Sequence, residues 1–385
     1  MIRRELTILV LSLLVLFVAC IQQTPIDIEK TNKVGKIDSL IVRHAELEIT
    51  AGRPRNTGDS PLLLLGQADN KRASFLVKFD KLPDSSVVES AEFHLITFSS
   101  LGDTVGEIRA TAHRVLQDWQ ESEVTFETFA NQFDPQVIAE ATIVPADTDT
   151  VVFNLDPQLV TSWIDSTVEN YGIYIKIEQG AFLKQFYSGN SVQNQPFLRV
   201  RYRRVGADTT LLAEFSPTAD AFIFEETAPL PEGPLYVSDG DDYRTLLKFD
   251  LSSIPKYATI NRAQLYLTID STRTFLSESD GHVFDIYRLT EASANPINAP
   301  LDSANAVNST GGVALSSTRT LGLDITEQVQ NWTFGLHDNF GMLLTSRRPE
   351  RELYRVAFYS TKTDSTKAPY IKVYFTVPSD VQSGE

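Results

Sequence analysis

Three arginines alternate with apolar or aromatic residues near the middle of the chain. Arg199, Arg201 and Arg203 are separated by Val200 and Tyr202. Because successive side chains of a β-strand point to opposite faces, the three guanidinium groups share one face of a predicted strand. Guanidinium groups bind carboxylates and sulfates through paired hydrogen bonds. The spacing therefore predicts an anion-binding face, in a chain whose formal net charge is −16.

Further basic and aromatic residues extend this hypothesis. Lys78 and Lys176 lie on predicted strands and would join the arginines if those strands are their neighbours. In the second half of the chain, arginines crowd the segment after Leu344, and tyrosines offer rings on which sugars can stack. The additional candidates are Arg347, Arg348, Arg351, Arg355, Tyr187, Tyr354 and Tyr359. The alternative is that all of these cations lie on polar outer faces and pair with local carboxylates such as Glu350 and Glu352.

No arrangement of residues indicates catalysis. The five histidines are scattered, and no His-x-x-x-His pair suggests a zinc site. His44-Ala45-Glu46 has the spacing of a zinc deaminase, but the two cysteine ligands of that motif are absent, so we interpret it as chance. Spacing alone does not locate a pair of catalytic carboxylates among 50 acidic residues. We predict a protein without enzymatic activity or cofactor.

One acidic loop bears on metal binding. Asp239, Asp241 and Asp242 crowd together, and carboxylate oxygens are ligands that calcium prefers. The grouping leaves a structural calcium ion open, although a solvated turn is the simpler interpretation.

The elements that position these residues occur twice. Trp163 is followed seven residues later by Asn170-Tyr171-Gly172 and an apolar run. Trp332 is followed at the same spacing by Asn339-Phe340-Gly341 and another apolar run, 169 residues further along the chain. A spacing kept in this way indicates that one folding unit has been used twice.

Each tryptophan is predicted to lie on a short helix with one apolar side. Asp156 is a suitable N-cap before Pro157, and in the second copy Asp324 and Glu327 have capping-box spacing. A glycine then permits a left-handed turn into the next strand. The residues predicted to be structural, with the indoles in the core, are Trp163, Asn170, Gly172, Trp332, Asn339 and Gly341.

Short alternating apolar runs recur every 8 to 15 residues, with turn residues between them. In the first copy they predict strands at 45–49, 62–65, 75–80, 91–95, 108–115, 124–126, 151–155, 173–177 and 197–202. The second copy repeats the order. This pattern predicts an all-β fold of two tandem jelly-roll-type β-sandwich domains, each with one short helix. The predicted domains span 39–205 and 206–377, and 378–385 is a predicted disordered tail.

The amino terminus has the pattern of a bacterial lipoprotein signal peptide. Residues 1–20 combine Arg3 and Arg4 with an apolar run and end at Cys20, the only cysteine, which would carry the lipid. Residues 21–38 are predicted to be a flexible tether. The aspartate that retains many lipoproteins at the inner membrane is missing after Cys20, which favours the outer membrane. The negative net charge argues against nucleic acid as a partner.

These landmarks resemble the DNRLRE family of bacterial extracellular β-sandwich domains. The matching segments are Leu76-Val77-Lys78-Phe79-Asp80, Asp118-Trp119 with 124–126, Trp163, Asn170-Tyr171-Gly172 and 196–200. The second copy departs from the pattern, because Ser293 stands where Trp119 would align. The match covers roughly 40–205 and 208–377. The resemblance implies glycan binding, since relatives include modules that bind acidic polysaccharides such as alginate, and it implies no catalysis.

Two functional hypotheses lead, and a third, hydrolase or lyase activity, would require a deep cleft with converging carboxylates, His or Tyr. The first is a non-catalytic, lipid-anchored protein of the outer membrane that faces the periplasm or the cell exterior and binds an acidic polysaccharide through a sandwich face. The alternative is a structural or protein-interaction subunit of a cell-surface assembly, with another envelope protein as its partner.

Overall fold

The computed structural model describes residues 37–102, 105–146, 150–180, 182–275, 282–308, 318–347 and 353–377. The predicted lipoprotein signal with Cys20, most of the predicted tether, Arg348, Arg351 and the predicted tail at 378–385 lie outside these residues. The fold is all-β, with sheets packed as in a β-sandwich. None of the helices within the described ranges is long and apolar enough to cross a membrane.

One group of strands surrounds a first core and is called the first lobe. It consists of β3 (Leu62–Ala68), β4 (Lys71–Lys78), β5 (Ser86–Gly102), β6 (Ile108–Val115), β7 (Phe133–Ile143), β8 (Thr150–Leu155), β9 (Ile173–Ile177), β10 (Phe182–Tyr187), β11 (Phe197–Arg204), β12 (Thr210–Phe215) and β13 (Ala219–Glu226). Hydrogen-bonded neighbours follow the order β12-β11-β5-β10-β3-β4-β9-β6-β7, with β8 beside β5 and β13 beside β4. The long strand β5 pairs with β11 and β8 through its first part and with β10 through its last part. It therefore contributes to both layers around the core.

A second group surrounds a second core and is called the second lobe. It consists of β1 (Ile37–Arg43), β2 (Leu47–Ala51), β14 (Leu235–Ser238), β15 (Arg244–Lys248), β16 (Thr259–Thr268), β17 (Phe284–Arg288), β18 (Val307–Asn308), β19 (Thr320–Asp324), β20 (Met342–Ser346), β21 (Arg355–Phe358) and β22 (Tyr370–Thr376). Its sheets run β1-β22-β16-β19, β18-β17-β20-β15-β2 and β14-β21. The order β1-β22-β16-β19 repeats β12-β11-β5-β8 of the first lobe. The two sequence copies therefore form equivalent arrangements of strands.

The opening strands of each sequence copy are exchanged between the lobes. β1 and β2 pair with β22 and β15 of the second lobe, and β12 and β13 pair with β11 and β4 of the first. The predicted boundaries at 39–205 and 206–377 differ from this pairing, because they assign the opening strands to the other lobe. The end of the predicted tether also differs, since Ile37 and Asp38 belong to β1.

The described residues form three helices. They are α1 (Phe126–Phe129), α2 (Pro157–Ile164) and α3 (Thr326–Phe334). α2 and α3 are the helices expected from the sequence, whereas a strand was predicted over the start of α1. The helix forms there because the Thr125 hydroxyl accepts a hydrogen bond from the Thr128 amide at 3.2 Å, and the Thr125 amide donates to the Thr128 hydroxyl at 2.8 Å.

The two longer helices begin differently. Asp156 caps α2 as expected, accepting a hydrogen bond from the Gln158 amide at 2.9 Å. The capping box predicted for Asp324 and Glu327 does not form at α3. The Asp324 carboxylate instead accepts hydrogen bonds from the amide and hydroxyl of Thr326, at 2.9 and 2.6 Å. The shorter Asp-x-Thr contact satisfies an amide at the helix start in place of the predicted box.

The repeated tryptophan, asparagine and glycine make equivalent contacts in both lobes. Trp163 is buried in the first core and Trp332 in the second. The Asn170 side-chain amide donates to the Phe79 carbonyl at 2.8 Å, and that of Asn339 donates to the Phe249 carbonyl at 2.9 Å. Gly172 and Gly341 have φ values of 94° and 101°, which favour glycine. The two asparagines therefore tie the segment after each helix to the end of the strand that precedes β5 or β16, while the tryptophans fill the cores.

Candidate functional site

The predicted arginines lie on the outer side of β5, β11 and β12, where they face side chains of both neighbouring strands. This surface is called the arginine face. It is formed by Glu92 and His94 on β5, Phe197, Arg199, Arg201 and Arg203 on β11, and Glu214 on β12. In the register, Arg199 lies opposite both Glu92 and Glu214. Cross-strand neighbours of opposite charge therefore alternate across the face.

Two of the three guanidinium groups form ion pairs with carboxylates. Arg199 forms an ion pair with Glu214 at 2.8 Å and lies 4.0 Å from Glu92. Arg203 pairs with Glu89 at 2.6 Å. Arg201 is exposed and has no carboxylate partner within the described residues. The face thus combines two locally neutralised cations with one that is available to a ligand.

An aromatic stack adjoins these cations. The His94 and Phe197 rings are stacked with centroids 4.6 Å apart and an interplanar angle of 11°. The Arg199 guanidinium lies 5.3 Å from the Phe197 centroid. His94 Nε2 is 3.0 Å from a Glu92 carboxylate oxygen. The sequence reasoning missed these neighbours, although the alternation of Phe197 with Arg199 on one strand places both on the same face.

Lys78 and Lys176 do not join the arginine face. Their strands β4 and β9 are separated from β11 by β3, β10 and β5. Lys78 Nζ pairs with Asp118 at 3.2 Å, and Lys176 Nζ lies 5.4 Å from the Phe133 centroid. The sequence placed both lysines on strands, but it did not give the order of the strands in the sheet.

Arg355 and Tyr354 are buried, which contradicts their predicted role as glycan contacts. Arg355 is 3% exposed and donates hydrogen bonds to Asp69 at 2.6 Å and Asn70 at 2.9 Å. Tyr354 is buried in the second core, and its hydroxyl donates to Ser346 at 3.0 Å. The crowded arginines predict an exposed surface here, whereas β21 is a strand buried on both sides. Arg355 instead joins the two lobes.

The remaining candidates are dispersed. Arg347 pairs with Asp285 at 2.9 Å. Tyr187 packs edge-on against Phe98 with centroids 5.4 Å apart. Lys367 lies 4.4 Å from the Tyr359 centroid. These residues do not converge on one site.

The acidic loop is buried and engaged by cations. The Asp241 carboxylate accepts hydrogen bonds from Lys71 and Ser238. Asp242 accepts from Arg55 at 2.7 Å and from Arg244 at 2.9 Å. The prediction of a solvated turn is wrong for Asp241 and Asp242, because basic side chains hold their carboxylate oxygens in the interior. Across the described ranges, no group of three or more His, Cys, Asp or Glu side chains is arranged to hold a metal ion.

Comparisons with known proteins leave the family open. No family model matches the chain, and no curated protein matches it in sequence. The C-terminal domain of the AgI/II polypeptide BspA from Streptococcus agalactiae is similar at 9% identity over 86% of this chain and 91% of that chain, with a TM-score of 0.18. The VP2 subviral particle of infectious bursal disease virus is similar at 10% identity over 90% and 77% of the two chains, with a TM-score of 0.14. Likeness at this level carries no argument, and the DNRLRE resemblance stays a prediction.

Proposed function

We propose that the protein is a non-catalytic, lipid-anchored protein of the bacterial outer membrane that binds an acidic polysaccharide through the arginine face. The finer architecture that goes with this proposal is a pair of jelly-roll-type sandwiches of the DNRLRE family. The membrane address rests on the sequence of residues 1–20. The observation that supports binding is the exposed Arg201 beside the Arg199, Phe197 and His94 stack.

Ligand binding at this face requires the existing ion pairs to give way. Exposed pairs such as Arg199 with Glu214 contribute only about 0–1 kcal/mol, so a uronate carboxylate can replace Glu214 at small cost. Arg201 needs no such exchange and offers the first contact. Paired hydrogen bonds from guanidinium to carboxylate then fix the orientation of the sugar. The chain's net charge of −16 repels a polyanion at long range. Attraction to the arginine face therefore acts only at short range, where the guanidinium groups are closer to the ligand than the other charges of the protein.

Alginate binding by the purified chain tests the proposal. In affinity electrophoresis through alginate at low salt, we expect retardation that the Arg199→Ala, Arg201→Ala double variant loses. Arg109→Ala is the matched control, because Arg109 is an exposed arginine paired with Glu140 on β6 and β7, away from β11. Equal retardation of the double variant and the wild type, or loss in the control alone, contradicts the proposal.

One observation favours the alternative of a protein-interaction subunit. β12 pairs only with β11 among the described strands, so its other edge is open. Leu212 on this edge strand is 64% exposed. An open edge with exposed apolar side chains accepts an extended segment of another protein as an added strand. Copurification of an envelope protein that Leu212→Asp abolishes, and that Val87→Asp on β5, beyond β11 in the sheet, leaves intact, supports this alternative over glycan binding.

A further inference from the structure

A cavity opens beside the repeated tryptophan of the second lobe. Its volume is about 530 Å³, within the range of roughly 300–1,000 Å³ typical of small-molecule sites. The wall combines an indole with charged and polar groups. Lining side chains include Trp332, Lys248, Asp250, Ser252, Thr333 and Asn339. The cavity lies between the end of β15 and the end of α3, far along the chain from the arginine face.

Two exposed aromatic residues are neighbours in the chain of residues that line the cavity. Tyr257 follows Lys256, which lines the cavity, and Phe334 follows Thr333. Tyr257 is 48% exposed and Phe334 is 41% exposed, and their rings meet edge-on with centroids 6.1 Å apart. Tyr257 has a φ of 66°, a left-handed conformation that costs a large side chain about 1–3 kcal/mol.

The first lobe lacks these features at the equivalent place. Trp163 is followed by Ile164 and Asp165, where Trp332 is followed by Thr333 and Phe334. Ile164 packs against the first core. The turn after the preceding strand is also two residues longer in the second lobe, as Phe249 to Pro255 compared with Phe79 to Pro83. The polar wall and the aromatic rim are therefore properties of one lobe and not of the repeated fold.

We propose that this cavity is a binding site for an uncharged sugar ring. Its charges balance, because Lys248 pairs with Glu46 at 3.4 Å, and Lys256 and Asp250 add one charge of each sign. The Trp332 indole N–H is buried without a hydrogen-bond partner in the described part of the chain, as is that of Trp163, so this group belongs to the repeated helix and does not distinguish the cavity. The Tyr257 and Phe334 rings provide apolar surfaces for the C–H face of a pyranose. The site and its ligand class differ from those of the arginine face, so the inference does not depend on alginate binding.

Titration with neutral oligosaccharides tests the site. The purified chain is titrated with cellotetraose, xylotetraose, mannotetraose and chitotetraose, and binding is followed by tryptophan fluorescence and calorimetry. At least one of the four should bind with a Kd below about 10 mM. Thr333→Ile installs the first-lobe residue and should weaken that binding by about tenfold or more, as the cavity fills. Ile164→Thr, the reciprocal change beside Trp163, should leave the affinity unchanged.

A second variant keeps the test decisive if the cavity substitution disturbs folding. Phe334→Asp installs the first-lobe residue at an exposed position and should also lose affinity while the thermal unfolding midpoint is retained. Absence of binding by all four sugars overturns the proposal. So does binding that Thr333→Ile and Phe334→Asp both leave unchanged. Alginate retardation that persists in both variants separates this site from the arginine face.

Discussion

Asp220 on the exchanged strand β13 offers a quantitative test of how that strand is held in the first lobe. Its side chain is 1% exposed. One carboxylate oxygen accepts a hydrogen bond from the Gly189 amide at 2.6 Å, and the other has no partner within the described residues. Burial raises the pKa of Asp220 from its ordinary value of 3.8 to about 7, opposed by the Gly189 hydrogen bond and reinforced by the nearby Glu121 carboxylate.

The direction of the pH effect follows from proton binding. Between pH 3.8 and about 7, folded Asp220 is protonated and the unfolded side chain is not. The free energy of unfolding therefore falls as the pH rises through this window and is constant above it. Because each pKa unit is worth about 1.4 kcal/mol, a pKa about three units above the ordinary value lowers the free energy of unfolding by about 4 kcal/mol across this window. Asp220→Asn keeps an acceptor for Gly189 but removes the titration, so it should stabilise the protein by up to about 4 kcal/mol near pH 8 and by little near pH 4.

Urea unfolding of the wild type and Asp220→Asn at the two pH values measures this difference. Asp208→Asn in the exposed loop between β11 and β12 is the control and should change stability by less than about 0.5 kcal/mol at both. A stability difference between Asp220→Asn and wild type that is the same at both pH values would refute the assignment of a protonated, buried Asp220.

Two further substitutions test the turn geometry and the contact between lobes. Gly341→Ala should lower stability by more than Gly335→Ala. Both glycines have positive φ, but a methyl group on Gly341 would lie 2.6 Å from the Leu247 carbonyl oxygen, whereas Gly335 faces open space. Thermal unfolding of both variants checks this prediction, and equal losses of stability would contradict it. Lys71→Met leaves the buried Asp241 carboxylate without its cation and should cost about 3–5 kcal/mol, most of which Lys71→Met with Asp241→Asn restores. Urea unfolding of the single and double variants measures the recovery. If the double variant loses as much stability as Lys71→Met alone, the uncompensated Asp241 charge is not the cause of the loss.

Local elements were predictable from the sequence where chemistry is local. Strand alternation gave β6 and β9 with their observed ends. The N-cap role of Asp156 and the positive φ at Gly172 follow from side-chain size and from hydrogen bonds within a few residues. The arginine alternation on β11 is also a local property, so the three cations do share one face.

Contacts between distant segments were not predictable in this way. Arg355 reads as an exposed cation in the sequence, yet it is buried and donates hydrogen bonds to Asp69 and Asn70, which lie 286 and 285 residues away. Asp241 and Asp242 read as a solvated turn for a related reason, because one basic partner of each, Lys71 on β4 and Arg55 after β2, is distant in the chain, although Arg244 is a local partner of Asp242. A buried charge is recognisable only when its partner is known. Charge pairing across a sequence separation of this size leaves no periodic signal.

The exchange of opening strands shows where a sequence repeat is ambiguous. A repeat of about 170 residues defines the set of strands that each lobe needs, and both copies supply that set. It does not define which copy supplies them, because the alternating pattern of β1 and β2 is compatible with pairing in either lobe. In the observed pairing each lobe is completed by strands from the other copy. Neither lobe can then separate fully from the other without losing two strands. The Lys71 and Arg355 contacts therefore lie between lobes that are already held together by exchanged strands.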